Sequence, residues 1–491
     1  MTEPLRVFFL SPEVTPLAKT GGLADVAGAL PKALKETGCD IRVAMPCYRM
    51  VKKGNVTVSL LYPDVEVPLF GEILKDDIFL AETDAGVPLY LINKDEYFDR
   101  EYLYGTPKGD YFDNLERFTY FSRVAFLLCK RLGFQPDVFH CNDWQTGLVP
   151  AYLRTVYKGD PLFSETSSLF TIHNIAYQGV FDERKLEVTG LPKEIYHPGG
   201  IEYWGKINCL KAGIVFSDII NTVSRKYSRE IQTPEFGYGL EGVLRDRSDD
   251  LFGVLNGADY AEWNPKTDQL IAANYDENDL SGKEKCKEDL LAEFKLPMSL
   301  MRLPVLGVIS RLADQKGFDL LADGMGDLMK MDLGFVLLGS GDERYHKIFG
   351  RMAKEYPEKA GIKIAYDNTL AHKIEAGSDI FLMPSRYEPC GLNQMYSLKY
   401  GTVPLVRATG GLDDTIEDYN PRTGEGTGFK FQTYSAKDFL KAVRRALAVF
   451  RDTERWKRLM MQGMKADFSW QRAASDYMSL YGKAKAHRVV R

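Results

Sequence analysis

Short apolar runs alternate with helical patterns along both halves of the chain, and this alternation constrains its fold most strongly. Several runs are apolar throughout, which is typical of parallel strands covered on both faces. The pattern predicts doubly wound α/β domains. The predicted strands are 6–10, 41–45, 138–140, 169–172 and 219–223, then 304–309, 335–338, 362–365, 380–383 and 403–406. The predicted helices include 26–36, 320–331, 345–355 and 437–450.

A chain of 491 residues is too long for one ordinary domain. The turn Leu255-Asn256-Gly257 precedes a polar stretch and a second strand–helix series, so it marks the predicted boundary. We predict a first Rossmann-like domain at 1–256 and a second at 257–468. The last segment, 469–491, is compatible with a helix, but its periodicity does not decide which domain it completes.

Composition excludes several classes of protein. The net charge of −5 argues against a general nucleic-acid binder, although a local basic cleft is compatible with it. The seven cysteines are scattered without a C-x-x-C motif, which predicts free thiols in a reducing compartment. No apolar run approaches the roughly 18 residues of a membrane span, and the chain opens directly into a strand without room for a signal peptide. We therefore predict a cytoplasmic protein with no membrane or nucleic-acid partner.

Two glycine-bearing turns each follow an apolar run and precede a helical pattern. They are 19–26, after the run 5–10, and 388–394, after the run 380–383. A helix that begins at such a turn points unpaired backbone N–H groups outward, and phosphate is a common ligand there. One turn in each half predicts an anionic ligand held between two lobes.

Arg311 and Lys316 follow the first predicted strand of the second half. An arginine fork and a lysine point charge five residues apart can grip a diphosphate together. The alternative is surface charge at a helix start, although cations are disfavoured there without an anion. Glu388 suits sugar hydroxyls or a developing oxocarbenium charge, and a helix cap or a structural salt bridge is the alternative.

His173 and Asp143 each end a predicted strand, where ligands of open α/β sheets bind. A lone histidine such as His173 is more often a buried core residue than a catalyst, and Asp143 is equally compatible with the N-cap of the next helix. The other histidines show no metal-ligand spacing with His173, so no metal site is predicted.

Two further motifs lack the structural context that gives them their function. Residues 237–242 fit G-x-G-x-x-G, but no strand precedes them. Residues 200–206 fit G-x-x-x-x-G-K, but Ile207 replaces the required serine or threonine. Nicotinamide-dependent and P-loop ATPase functions are therefore disfavoured.

The order and spacing of several blocks resemble the bacterial and plant starch and glycogen synthases, a family of retaining glucosyltransferases. The resemblance covers nearly the whole chain. The blocks are KTGGL (19–23), DW (143–144), TIHNIAYQG (171–179), TPEFGYGL (233–240), LNG with Asp259 (255–259), SRL with Lys316-Gly317 (310–317), PSRYEPCGLNQ (384–394), TGGL (409–412) and FSW (468–470).

This resemblance implies a GT-B fold, with two Rossmann-like domains facing an interdomain cleft and a C-terminal helix that crosses back to the first domain. It implies transfer of glucose from a nucleoside diphosphate glucose, ADP-glucose by family, to the non-reducing 4-hydroxyl of an α-1,4-glucan with retention. No metal or cofactor is expected. Alternatives are UDP-glucose as donor, synthesis of a disaccharide or maltose phosphate, a non-catalytic glucan-binding protein, or a phosphorylase with pyridoxal phosphate.

The resemblance also assigns roles by matching position. Arg311 and Lys316 would neutralise the leaving diphosphate, Glu388 would hold the glucose hydroxyls, and His173 and Asp143 would contact the sugar. Tyr396 stands where related retaining enzymes often place a ribose-binding glutamate, so ribose contacts stay unassigned. The implied donor-binding residues are Lys19, Gly21, Gly22, Asp25, Asn256, Tyr366, Cys390, Gly391, Leu392 and Asn393.

Overall fold

A computed structural model describes residues 3–54, 56–83 and 85–490. The chain folds into two compact units, unit 1 (Met1–Val223, Ser228–Gly257 and Trp470–Arg491) and unit 2 (Ser224–Tyr227 and Ala258–Ser469). The main division thus falls after residue 257, beside the boundary predicted after 256.

The prediction that all of 1–256 belongs to the first domain is wrong for one short segment. Ser224–Tyr227 groups with unit 2. Ser224 Oγ donates to the carbonyl of Pro389 at 2.6 Å, and the Lys226 amide donates to Asp414 at 2.8 Å. These hydrogen bonds attach the segment to unit 2, a long-range pairing that local sequence does not signal.

Unit 1 combines a large sheet with helices and two small hairpin-like sheets. Its strands are β1 (Arg6–Leu10), β2 (Asp40–Pro46), β3 (Val58–Leu69), β4 (Glu72–Ala81), β5 (Leu89–Ile92), β6 (Gly105–Thr106), β7 (Gly109–Asp110), β8 (Val138–Asn142), β9 (Ser167–Ile172), β10 (Val180–Asp182), β11 (Glu202–Tyr203), β12 (Lys206–Asn208), β13 (Ile219–Thr222) and β14 (Leu251–Gly253). Its helices are α1 (Gly22–Glu36), α2 (Arg49–Lys53), α3 (Asp95–Phe98), α4 (Asn114–Leu132), α5 (Leu148–Arg154), α6 (Leu186–Thr189), α7 (Cys209–Phe216), α8 (Arg225–Glu230, shared with unit 2) and α9 (Glu241–Asp246).

The large sheet of unit 1 has the strand order β14-β13-β9-β8-β1-β2-β5-β4-β3. From β14 to β5 neighbouring strands are parallel, as the uniformly apolar runs predicted, whereas β5-β4 and β4-β3 are antiparallel. The sequence analysis missed β3 and β4. In β3 buried Val65, Val67 and Leu69 alternate with exposed residues, which is the pattern of a half-covered edge strand.

The C-terminal helix α18 (Trp470–Val490) packs within unit 1. The helices that precede it in the sequence, α10 to α17, belong to unit 2 and are given below. The hydroxyl of Tyr481 lies 2.8 Å from His140 Nδ1, and Asn221 Nδ2 donates to the hydroxyl of Tyr477 at 3.1 Å. Helix α18 therefore supplies hydrogen-bond partners to polar side chains on the buried strands β8 and β13. Each buried polar side chain left without a partner would destabilise the fold by about 1–3 kcal/mol.

Unit 2 is a second α/β layer structure. Its strands are β15 (Val305–Ile309), β16 (Gly334–Gly339), β17 (Ala360–Ile364), β18 (Ile380–Met383), β19 (Val403–Arg407) and β20 (Phe429–Phe431). Its helices are α10 (Ser281–Glu293), α11 (Phe318–Leu328), α12 (Glu343–Glu355), α13 (Asn368–Gly377), α14 (Asn393–Lys399), α15 (Gly410–Thr415), α16 (Ala436–Phe450) and α17 (Thr453–Met464).

The sheet of unit 2 is parallel throughout, in the order β17-β16-β15-β18-β19-β20. Apolar side chains cover both of its faces, in one cluster with α11, α12, α16 and α17 and another with α10 and α13. The doubly wound α/β architecture predicted from the apolar runs is therefore confirmed. The order reverses between β15 and β18, which is the switch point where such sheets bind ligands.

Among the described residues, the helices are all too short or too polar to cross a lipid bilayer.

Candidate active site

A lysine and a glutamate meet at the switch point of unit 2. Lys316 Nζ lies 2.8 and 2.7 Å from the two carboxylate oxygens of Glu388. Ser385 Oγ donates a further hydrogen bond to Glu388 at 3.0 Å. Glu388 is only 5% exposed, whereas a quarter of the Lys316 side chain reaches solvent. The pair thus combines a held carboxylate with an accessible ammonium group.

The backbone explains why residues 72 positions apart meet. Strands β15 and β18 are parallel neighbours, so their carboxyl ends share one edge. The Arg386 amide donates to the carbonyl of Gln315 at 2.8 Å, which joins the two loops. Gly317 has φ +79°, and a Cβ there would lie 2.1 Å from the carbonyl of Pro384. Only glycine permits this approach.

Arg311 lies in the same loop as Lys316 and is exposed. Its Nη2 donates to Gln315 Oε1 at 3.1 Å, which holds the guanidinium beside the turn that carries Lys316. Tyr366 follows the end of β17 on the same sheet edge and is 87% exposed. Both side chains are therefore accessible to a ligand at this edge.

The loop Pro389–Asn393 is shaped by one glutamine. Gln394 Nε2 donates to the carbonyls of Cys390 at 3.1 Å and Gly391 at 3.0 Å. In a planar trans peptide the following N–H points away from the carbonyl. The N–H groups of Gly391 and Leu392 therefore point away from Gln394. Asn393 Nδ2 donates to the carbonyl of Ile309 at 3.0 Å, which fixes the loop to the end of β15.

The glycines of the TGGL block support this loop from behind. A Cβ on Gly410 would lie 1.9 Å from the carbonyl oxygen of Glu388, and one on Gly411 would lie 2.1 Å from that of Cys390. The Gly411 amide donates to the Glu388 carbonyl at 3.1 Å. Cys390 is buried, and the atoms of Cys390 that a Gly411 Cβ would meet all belong to its backbone.

In unit 1, Asp143 and His173 lie together at the ends of the neighbouring strands β8 and β9. The carboxylate of Asp143 accepts a hydrogen bond from the His173 amide at 2.7 Å. Asp143 does not cap the helical turn that follows it, so the predicted alternative of an N-cap is wrong. The carboxylate instead fixes the loop after β9. Asp143 has φ +55°, a strained conformation for a residue with a side chain.

Burial sets the charge of both groups. It raises the pKa of Asp143 to about 7, although the amides of His173 and Asn174 lower it. Burial also lowers the pKa of His173 to about 3, so the imidazole is neutral. His173 Nε2 lies 2.9 Å from Asn142 Oδ1, and Asn142 Nδ2 donates to the carbonyl of Leu10 at 2.9 Å. This orientation of Asn142 places the proton on His173 Nε2 and leaves Nδ1 as an acceptor.

The first glycine turn differs from the prediction. Its amides at Thr20 and Gly21 donate to the carboxylate of Glu13 at 2.5 and 3.3 Å, and Tyr104 donates to the same carboxylate at 2.7 Å. The expected free N–H of Gly21 is thus already paired. Sequence analysis missed Glu13, which is 3% exposed, because a carboxylate inside a predicted anion site has no local signal.

The other predicted donor-binding residues of unit 1 are accessible or unsatisfied. Lys19 Nζ lies 2.6 Å from Asp25 Oδ1, with 47% of the lysine side chain exposed. Gly21 and Gly22 have open space where a Cβ would stand. Asn256 is 6% exposed, and its Oδ1 accepts no hydrogen bond in the described part of the chain. Buried polar atoms usually have a partner, so this oxygen is suited to one that the chain does not supply.

Tyr396 has a packing role. Its ring stacks on Trp263 with centroids 4.4 Å apart, and Trp263 stacks on His372 with centroids 3.8 Å apart. The two sequence motifs set aside above are also explained. Residues 237–240 lie in a loop that no strand precedes, and 241–242 begin α9. Lys206 lies in the β11-β12 hairpin instead of between a strand and a helix.

Among the residues that the structure describes, no group of three or more histidine, cysteine, aspartate or glutamate side chains could hold a metal ion. All seven cysteines lie among the described residues, are buried and form no disulfide.

Comparison with known proteins identifies the family. Residues 6–246 match the family model of the starch synthase catalytic domain, and residues 299–458 match glycosyl transferases group 1. The glycogen synthase of Koribacter versatilis is 50% identical over 485 residues, covering 99% of both chains. That of Moorella thermoacetica is 47% identical over 489 residues, covering 99% of this chain and 98% of the relative.

A solved structure is also similar. The catalytic domain of starch synthase IV from Arabidopsis thaliana, bound to ADP and acarbose, has a TM-score of 0.90 and 34% identity. The match covers 98% of this chain and 100% of that one. The predicted fold class, GT-B with two Rossmann-like domains, is confirmed. The chain therefore belongs to the glycogen and starch synthase family of glycosyltransferases.

Proposed function

We propose that the chain transfers glucose from ADP-glucose to the non-reducing 4-hydroxyl of an α-1,4-glucan with retention of configuration. The Lys316–Glu388 pair at the switch point of unit 2 carries this proposal. Relatives named glycogen synthase match the chain over nearly its full length, and a similar solved starch synthase binds ADP and acarbose. ADP is the expected leaving group, and acarbose is an oligosaccharide analogue.

The cations of unit 2 stabilise the departing diphosphate. Lys316 supplies a point charge and Arg311 a fork of donors, while the outward N–H groups of Gly391 and Leu392 add neutral donors. Groups fixed before the reaction stabilise developing charge without reorganising, which is usually the largest catalytic contribution. Tyr366, with its exposed ring, stacks on the nucleotide base. Glu388 accepts hydrogen bonds from the glucose hydroxyls.

Residues of unit 1 contact the sugars. Neutral His173 offers an acceptor at Nδ1, and Asp143 holds the loop that carries it. Asn256 offers its unsatisfied Oδ1 to a hydroxyl. Lys19, held by Asp25, meets the phosphates or the acceptor. The turn at Gly21 and Gly22 allows close approach of a ligand, because no side chain stands in front of it.

The transfer proceeds on one face of the glucose. The bond between C1 and the diphosphate oxygen breaks, and the acceptor O4 forms a new bond to C1 from the same side. The acceptor proton moves to the departing phosphate oxygen. Glu388 is a poor nucleophile for the alternative covalent route, because the hydrogen bonds from Lys316 and Ser385 stabilise its carboxylate charge. We propose that the reaction uses no metal or cofactor, since Arg311 and Lys316 supply the positive charge.

The lack of disulfides among the seven described cysteines supports a reducing compartment such as the cytoplasm, where disulfides are rare.

A donor comparison tests the proposed function. Purified protein is given ADP-glucose or UDP-glucose, with and without glycogen, and release of each nucleoside diphosphate is measured. We expect rapid ADP release that depends on glycogen and much slower UDP release. Rapid UDP release instead would show that UDP-glucose is the donor. Absence of both would favour a non-catalytic glucan-binding protein.

A further inference from the structure

Three exposed aromatic side chains lie on neighbouring segments around the small sheet β10-β12-β11 of unit 1. Trp204 is 83% exposed, Tyr177 is 56% exposed and Tyr238 is 45% exposed. None of them belongs to the residues assigned above to the donor or to the reaction. We call Tyr177, Trp204 and Tyr238 the aromatic platform.

The backbone at Trp204 is costly for the fold. Trp204 and Gly205 form the two-residue turn between the paired residues Tyr203 and Lys206, with φ +52° and +71°. Such turns favour asparagine or aspartate before glycine, and a bulky side chain at positive φ is strained by about 1–3 kcal/mol. The Trp204 ring gains little in return, since it meets Tyr203 edge-on with centroids 6.5 Å apart.

A second turn in unit 1 has the same strained backbone conformation, but packing offsets its cost. Phe70 and Gly71 link the paired residues Leu69 and Glu72 with φ +58° and +78°. Phe70 is only 36% exposed, so packing covers most of this side chain. The same turn at Trp204 leaves the aromatic ring in solvent. The described residues of the chain do not supply the burial that would offset this cost, whereas a bound ligand would supply it.

Hydrogen bonds hold the three segments in a fixed arrangement. The hydroxyl of Tyr203 donates to the carbonyl of Tyr238 at 2.8 Å, and Gln178 Nε2 donates to the same oxygen at 3.0 Å. Asn208 Nδ2 donates to Gln178 Oε1 at 2.7 Å. Gly239 permits the contact, since a Cβ there would lie 2.3 Å from the Tyr203 hydroxyl. A preorganised surface loses little entropy when it binds.

The chemistry of this surface suits a neutral, hydroxyl-rich polymer. Aromatic faces pack against the C–H faces of sugar rings, while the phenol and indole edges and the amide of Gln178 hydrogen-bond to hydroxyls. Amides and a hydroxyl make the hydrogen bonds between the segments, and Lys211 Nζ also donates to the Glu202 carbonyl of the hairpin. Tyr177 also lies four residues after His173 in the loop that follows β9. The loop that carries Tyr177 thus also carries His173, one of the proposed sugar contacts of unit 1.

We propose that the aromatic platform is a binding site for the α-1,4-glucan acceptor, which holds glucose units away from the reacting end. This inference rests on the proposed function, because the acceptor class comes from it. The platform would strengthen retention of long glucans without taking part in the chemical step.

Trp204→Ala in the full-length protein tests the platform, with Trp204→Phe as the conservative variant and Phe70→Ala as the matched turn control. Migration in native gels containing glycogen measures binding, and initial rates measure KM for glycogen and kcat. Loss of one stacking contact predicts about three- to tenfold weaker glycogen binding and a similar rise in KM. We expect unchanged kcat, partial rescue by phenylalanine and wild-type behaviour of Phe70→Ala.

The outcomes separate this inference from the proposed function. If the wild type transfers glucose and Trp204→Ala binds glycogen as well as the wild type, the platform proposal is wrong and the proposed function stands. If the wild type transfers no glucose but Trp204→Ala weakens glycogen binding, the platform stands and the proposed function fails. If sedimentation shows that Trp204→Ala dissociates a wild-type dimer while glycogen binding is unchanged, the surface joins two copies and the glucan assignment is overturned.

Discussion

Glycines at the candidate site have two different roles. Gly410 is required by the fold, because its φ is +45° and a Cβ would overlap the Glu388 carbonyl at 1.9 Å. Gly21 has φ −154°, which any residue adopts, and open space in front of it. The fold therefore does not explain Gly21, whereas close approach of a ligand does.

Gly21→Ala and Gly410→Ala form a matched pair of variants. We expect Gly21→Ala to keep the wild-type melting temperature and to raise KM for ADP-glucose, because its methyl group meets only a bound ligand. Gly410→Ala should lower the melting temperature strongly, since the backbone of the Glu388 loop must move. Thermal melts and donor titrations measure both. A large loss of stability in Gly21→Ala, or none in Gly410→Ala, would contradict this division of roles.

The sequence predicted individual site residues where a strand end and a motif coincide. Lys316 and Glu388 meet as expected, and Asp143 lies beside His173. Glu13 was missed because its partners come from a later turn and from Tyr104, 91 residues away. Contacts of this length are set by tertiary packing and leave no local pattern.

At the scale of elements, each predicted apolar run overlaps a parallel strand, and β1 and β18 have the predicted bounds. The short strands β5, β14 and β20 were not predicted. Helix α1 begins at Gly22, four residues before the predicted start, because glycines at a helix start carry little propensity signal. The antiparallel strands β3 and β4 were missed because half of their residues face solvent. Buried strands are therefore easier to predict than edge strands.

A buried ion pair joins a helix of unit 2 to the loop that precedes α10. His372 in α13 lies 2.7 Å from Asp268, which also accepts a hydrogen bond from Tyr400 at 2.6 Å. Burial lowers the pKa of His372, but the hydrogen bond with Asp268 and the Glu262 carboxylate, 3.9 Å from Nε2, outweigh it and raise this pKa to about 9. The raised pKa means that the stabilisation is complete below pH 6.5 and is lost as pH rises through about 9.

Asp268→Asn leaves the His372 charge buried without its partner. We expect the free energy of unfolding at pH 7 to fall by about 3–5 kcal/mol, as for other broken buried pairs. The difference from wild type should shrink above pH 9, where His372 is neutral in both proteins. Urea denaturation at pH 7 and pH 10 measures it. The control is Asp327→Asn, which breaks an exposed pair with Lys330 and should change little. An equal loss at both pH values would contradict the raised pKa.

At the scale of the whole molecule, each unit has a sheet whose carboxyl edge carries part of the proposed machinery. Unit 2 supplies the cations and Glu388, and unit 1 supplies Asp143 and His173. The sequence predicted this division, since each half shows its own strand–helix series. It did not place Ser224–Tyr227 in unit 2, because only hydrogen bonds to distant residues put it there.

Removal of divalent metal tests whether protein cations alone stabilise the diphosphate. We expect ADP release from ADP-glucose and glycogen to keep its rate after dialysis against EDTA, because Arg311 and Lys316 provide the charge. Adding Mg²⁺ back should give no increase. A loss of activity that Mg²⁺ restores would show that a metal shares this role.

Replacement of Lys316 by alanine measures the diphosphate clamp most directly. With ADP-glucose and glycogen both saturating, we expect Lys316→Ala to lower kcat about a hundred- to thousandfold, as for removal of one preorganised donor. KM for glycogen should change little. The control Lys330→Ala removes another carboxylate-paired lysine of unit 2 and should retain wild-type kcat. Near-normal turnover in a folded Lys316→Ala protein would contradict the assignment of this lysine to the leaving diphosphate.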